Sequence, residues 1–109
     1  MPERIQSLKD ITPHYDVILC DVWGVLHNGV DPFLDAAKAL AEARAQGVSV
    51  VLITNSPRPN DSVAIQLDGI GVPRDAWDRI VTSGDVTRGL IRQGPPNVFL
   101  LGPDRDLPL

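Results

Sequence analysis

The sequence predicts an α/β fold in which a parallel sheet carries flanking helices, in the order βαβαβαβ. Three observations predict it. Short aliphatic runs at Val17 to Cys20, Val48 to Ile53, Ile80 with Val81, and Val98 to Leu101 are continuous rather than alternating, as in strands covered on both faces. Between them, apolar residues recur at helical spacing. The first three runs each stop on polar residues: Asp21, Thr54 with Asn55, and Thr82 with Ser83.

The elements follow in order. After the Val17 to Cys20 strand comes a loop rich in turn formers, and Asp31 with Pro32 predicts an N-cap and a first helical residue. Ala36, Ala37, Leu40 and Ala43 then mark the inner face of a helix, with Lys38, Glu42 and Arg44 turned elsewhere and Gly47 as a left-handed stop. The Val48 to Ile53 strand leads into Ser56, Pro57, Arg58 and Pro59, where two prolines block both helix and ladder. Asn60 or Asp61 should cap a second helix that buries Val63, Ala64, Leu67 and Ile70 and is closed by Gly69 or Gly71. Ile80 and Val81 form a third strand. Ser83 should cap a third helix, to about Gln93, with Val86, Leu90 and Ile91 inward, before a fourth strand at Val98 to Leu101.

Composition narrows the function. Ten Lys and Arg against fourteen Asp and Glu give a net charge of −4 with no basic stripe, which argues against nucleic acid as a partner. No apolar run approaches the roughly 20 residues that cross a bilayer, and the first ten residues are polar where a secretory signal would be apolar. The single cysteine, Cys20, has no internal partner for a disulfide. A cytoplasmic protein is the expectation.

Parallel strands finish at one edge, and open α/β sheets bind ligands just beyond it. Asp21, Thr54 and Asn55 would therefore share one small space. A carboxylate beside hydroxyl and amide donors suits phosphoryl transfer to an aspartate: the carboxylate attacks, the donors hold the phosphoryl oxygens, and Mg²⁺ offsets the negative charge.

The stretch DVILCDVWGVLHNG, followed after one helix by VVLITNSPRP and later by IVTSGD, resembles the haloacid dehalogenase (HAD) superfamily. More narrowly it resembles the class IIA branch, the phosphatases with nitrophenylphosphatase-like and nucleotide phosphatase-like members. The first two segments are similar to that family's motifs I and II, in the right order and at a suitable separation. The resemblance implies a Rossmann-like core with Asp21 as the nucleophile that forms an aspartyl-phosphate. It also implies Mg²⁺ bound by Asp21 and the backbone carbonyl of Trp23, and phosphate held by Thr54 and the Asn55 amide. A small phosphorylated metabolite is the implied substrate, without nucleic acid or membrane partners, and a homo-oligomer stays open.

Two departures stand beside the match. Most family phosphatases carry an aspartate two residues after the nucleophile, where it protonates the leaving group and later activates water. Here that position is Trp23, whose indole N–H is a donor only. Such acid–base help is worth about 10² to 10⁴ in rate. Gly24, Val25, Leu26 and Gly29 keep the rest of the motif, so the tryptophan reads as a subgroup pattern.

The second departure is length: class IIA members run to well over twice this size, with a cap domain, a lysine and an aspartate pair after motif II. Residues 1–94 are accordingly expected to form the amino-terminal part of the core and residues 95–109 the start of a crossing into a missing cap. The Val17 to Cys20 strand would be left as an exposed apolar edge, and the segment alone would be inactive.

The remaining candidates have plain readings. Cys20 fits a core position. His27 reads as a solvated loop residue or one facing a cap or substrate, His14 as an unremarkable residue before the first strand, and Arg58 as a solvated neighbour of the phosphate site. Ser83, Gly84 and Asp85 begin a helix, with a substrate role as the alternative reading. Asp104, Arg105 and Asp106 invite comparison with the family's metal-binding aspartates at a different spacing. The rival to a phosphatase is a catalytically degenerate phosphatase-fold module kept for binding. A receiver domain fits less well, because Leu19 and Cys20 stand where its acidic pair would precede Asp21.

Overall fold

A computed structural model describes residues 4–99 and 101–102. Two 3-10 turns, Leu8–Asp10 and Thr12–His14, lead into β1 (Val17–Cys20), followed by α1 (Leu34–Ala45), β2 (Ser49–Thr54), α2 (Asn60–Ile70), a 3-10 turn at Arg74–Ala76, β3 (Arg79–Thr82) and α3 (Ser83–Gln93). The three strands are parallel in the order β1-β2-β3. Cys20 stands opposite Leu52, and Thr54 opposite Thr82, so the three carboxyl ends lie side by side.

Right-handed crossovers that step in one direction along a sheet place their helices on the same face. Here α1 and α2 share the face formed by Ile18, Cys20, Val50, Leu52 and Ile80. Ala37, Leu40, Val63 and Leu67 pack there with Val22, Leu26, Val72, Ala76 and Trp77. Val50 and Leu52 are fully buried, and burying each such side chain contributes about 1.5–3 kcal/mol.

The opposite face departs from the sequence expectation of strands covered on both sides. Val17, Leu19, Ile53 and Val81 are all exposed there, and β1 is an edge strand. Among the described residues α3 only borders that face, its Val86 and Thr87 lining an open cleft with Ile53 and Val81, and leaves these side chains exposed. In α3 only Gly84 is buried, while Val86 and Leu90, expected to point inward, are exposed.

The expected fourth strand is absent where it is described. Val98, Phe99 and Leu101 belong to no strand and are 58%, 88% and 90% exposed, having no ladder partner; Leu100 and the Asp104 to Asp106 cluster lie outside the described residues.

Helix starts also differ from the reading. α1 begins at Leu34, and Asp31 and Pro32 belong to the preceding loop because its backbone groups are already committed there: Phe33 N–H donates to the Leu26 carbonyl at 2.8 Å, and Asn28 Oδ1 accepts from Val30 and Asp31 N–H. Gly47 does take the left-handed conformation after α1, with φ at +95°, and Gly71 does so after α2. Thr82 rather than Ser83 caps α3, its hydroxyl accepting from Asp85 N–H at 2.9 Å. The amino-terminal edge of the sheet is tied off by Asp78, which accepts from Val50 N–H at 2.7 Å and pairs with Arg44 at 2.8 Å. Those bonds hold its carboxyl below the usual range.

Candidate active site at the carboxyl ends of the strands

The register sets the site. One residue past β1, the chain places Asp21 beside the end of β2, and the third strand ends level with it. Asp21, Thr54, Asn55 and Ser83 line one cleft of about 570 Å³, together with Leu19, Cys20, Trp23 and Ile53. Its polar groups gather at the strand ends, and its apolar wall comes from Leu19, Ile53 and the indole. Asp21 is exposed, and its Oδ1 accepts the Val22 N–H at 2.8 Å, which fixes the carboxylate. Thr54 is 5% exposed, and its Oγ1 accepts the Ser56 N–H at 3.2 Å, leaving the hydroxyl proton for a ligand. Asn55 is exposed.

The residues predicted from sequence thus share a cleft, and others join or leave it. Ser83 enters it, its capping work being done by Thr82. Arg58 is half-buried and does not line it. The Cys20 thiol donates to the Asp21 backbone carbonyl at 3.2 Å, and burial, with the Asp21 carboxylate, pushes its pKa up. His27, expected to be a solvated loop residue or to face a ligand, is 1% exposed. Bridges to Trp23 and Pro32 fold it under the loop, where desolvation pulls its pKa down.

Gly84 supports the site through its backbone and its missing side chain. A Cβ there would run into the Pro57 carbonyl, and Gly84 N–H donates to the Ser56 carbonyl at 3.0 Å. The loop after β2 therefore rests directly on the start of α3. Asp85 accepts from both the Asn60 backbone N–H at 3.0 Å and its side-chain amide at 2.8 Å, capping α2 from the first turn of α3.

Among the described residues, no three or more His, Cys, Asp or Glu side chains converge on a point. One carboxylate among hydroxyl and amide oxygens nevertheless suits Mg²⁺, a hard cation that keeps several waters and shares phosphate oxygens.

The family model for haloacid dehalogenase-like hydrolases matches residues 18–107. The chain belongs to this family. A crystal structure of a hydrolase of the haloacid dehalogenase-like family from Brucella suis 1330 superposes with a TM-score of 0.89 at 53% identity, covering 98% of this chain and 38% of that one. A curated relative, the chloroplastic endoribonuclease YBEY of Arabidopsis thaliana, is 33% identical over 99 residues, which is 88% of this chain and 14% of the relative. The HAD-like chain thus spans well under half the length of either protein. Family membership and the parallel α/β core both agree with the reading of the motifs, while the fourth strand does not.

Proposed function

We propose that this HAD-like chain carries the nucleophile and phosphate cradle of a Mg²⁺-dependent phosphatase of the class IIA branch, acting on a small phosphorylated metabolite. The observation that carries the reading is a fixed carboxylate, Asp21, in one cleft with the strand-end hydroxyl of Thr54 and the Asn55 amide. In this mechanism Asp21 attacks phosphorus, the ester P–O bond breaks, and the electron pair leaves with the ester oxygen. Thr54 and Asn55 donate hydrogen bonds to the phosphoryl oxygens, where charge accumulates. Water then attacks the aspartyl-phosphate, releasing phosphate and restoring the carboxylate. Asp21 and the Trp23 backbone carbonyl would hold Mg²⁺, whose charge offsets that of the phosphoryl group.

The acidic balance of the chain keeps nucleic acid out of this reading, and no described helix is long and apolar enough to cross a membrane. A cytoplasmic enzyme, alone or as a homo-oligomer, is proposed. The test is turnover of nitrophenyl phosphate by the full-length natural protein with Mg²⁺. Asp21→Asn is expected to lower kcat by at least about 10³-fold. Equal rates in the two proteins would remove Asp21 as nucleophile.

Trp23 favours a second reading, a phosphatase fold kept for binding, because it stands where the acid–base aspartate is expected. Phosphate binding without turnover by the wild-type protein would select that reading.

A further inference from the structure

The loop after β1 is built around His27, a polar residue only 1% exposed. Its carbonyl accepts the Gly24 N–H at 2.8 Å, and its backbone bridges both Trp23 and Pro32. Its ring meets the indole of Trp23 edge-on at a centroid distance of 4.8 Å, and its Nδ1 accepts the Gly29 N–H at 2.9 Å. That last bond seats Gly29, with φ at +95°, against the six-membered ring of Trp23, where a Cβ would come within 2.5 Å of Cη2.

The Gly24 N–H belongs to the same peptide unit as the Trp23 carbonyl. That peptide is trans, and a trans peptide is planar with its N–H and C=O on opposite sides. Holding the N–H against the His27 carbonyl therefore also sets the direction of the Trp23 carbonyl. The Asp21 carboxylate is held separately, its Oδ1 accepting the Val22 N–H at 2.8 Å. An ion that meets oxygens already aimed loses little affinity to ordering them.

We propose that His27 is a positioning residue that aims the backbone carbonyl of Trp23 for Mg²⁺ while touching neither the ion nor the substrate. The inference rests on the phosphatase reading, in which Asp21 and that carbonyl hold the ion. The imidazole secures the turn through Gly29 and the indole, and the turn in its place keeps the His27 carbonyl against Gly24. The side chain at position 27 therefore acts on metal affinity and not on the phosphate cradle of Thr54 and Asn55.

The test is calorimetric titration of Mg²⁺ into the metal-free, full-length natural protein, without substrate, at about pH 8, where the imidazole is neutral. Asn and Gln are both uncharged amides, but Asn offers an acceptor where the His27 Nδ1 sits and Gln carries its oxygen farther out. His27→Gln is expected to raise the Kd for Mg²⁺ about 10-fold, and His27→Asn to keep it within about threefold. In both variants the affinity for inorganic phosphate at saturating Mg²⁺ should stay within about twofold of wild type. Coupling is reciprocal, so in the wild-type protein saturating Mg²⁺ should slow hydrogen exchange at the Gly24 and Gly29 amides by about 10-fold, with the Val50 amide, bonded to Asp78, unchanged. Wild-type Mg²⁺ affinity in His27→Gln, an equal loss in both variants, a matching loss of phosphate affinity, or exchange at Gly24 and Gly29 indifferent to Mg²⁺ would each overturn the inference. The exchange measurement needs no variant to fold. Wild-type Mg²⁺ affinity in Asp21→Asn would instead overturn the underlying reading of the metal site.

Discussion

His27 is buried with its Nδ1 already accepting the Gly29 N–H, so protonation would cost that hydrogen bond as well as the desolvation of a cation. Its folded pKa lies below the ordinary 6.5 because burial disfavours the charged form. The unfolded chain then binds more protons than the folded one at pH values below 6.5, and stability is lost as pH falls through that window. Urea denaturation between about pH 7.5 and 5.5 should show the midpoint falling, and His27→Asn should flatten that dependence. An unchanged slope in the variant would remove His27 as its source. Nothing local marks this burial, since a histidine followed by Asn28 and Gly29 reads as part of a solvated turn. The backbone bridges to Trp23 and Pro32 put it inside. Asp21, Thr54 and Asn55, by contrast, were legible, because each stands where an apolar run stops and parallel strands stop at a common edge.

Between elements, the decisive contact joins the loop after β2 to the start of α3. The Pro57 carbonyl occupies the space a side chain at position 84 would need, and Asp85 bonds Asn60 from the same turn. Gly84→Ala should therefore push the loop that follows Thr54 and Asn55 away from α3. It is expected to cost about 1–3 kcal/mol in chemical denaturation, as overpacking does. An alanine variant of wild-type stability would show that the contact relaxes freely. The helices themselves were read from apolar spacing, which located the buried faces of α1 and α2 correctly: Ala37, Leu40, Ala43, Val63 and Leu67 are all buried. The same rule misled at α3, where Val86 and Leu90 keep helical spacing but find no opposing layer. Amphipathic spacing says that a face wants cover; it does not say that cover is present.

For the whole molecule, the sheet is an asymmetric layer, with one face packed under α1 and α2 and the other showing Val17, Leu19, Ile53 and Val81 to solvent. A contiguous apolar face beside an open edge strand favours association. The 109-residue chain by itself is expected to bind the dye ANS and to associate as concentration rises. Leu19→Lys with Val81→Lys should reduce both effects while changing stability by less than about 1 kcal/mol, because both side chains are already exposed. Sedimentation at several concentrations checks this, and association that the double variant leaves untouched would locate the sticky surface elsewhere.

The sequence by itself determined the succession of the three strands and three helices up to Gln93, their parallel sense and the polar residues at the strand ends. Periodicity, turn chemistry and the termination of apolar runs are properties of neighbouring residues. Only the tertiary structure decided which face of the sheet is covered, that His27 is buried and Ser83 lines the cleft, and that Gly29 and Gly84 make room for Trp23 and Pro57. Those outcomes depend on the shared direction of two crossovers and on contacts for which spacing along the chain carries no signal.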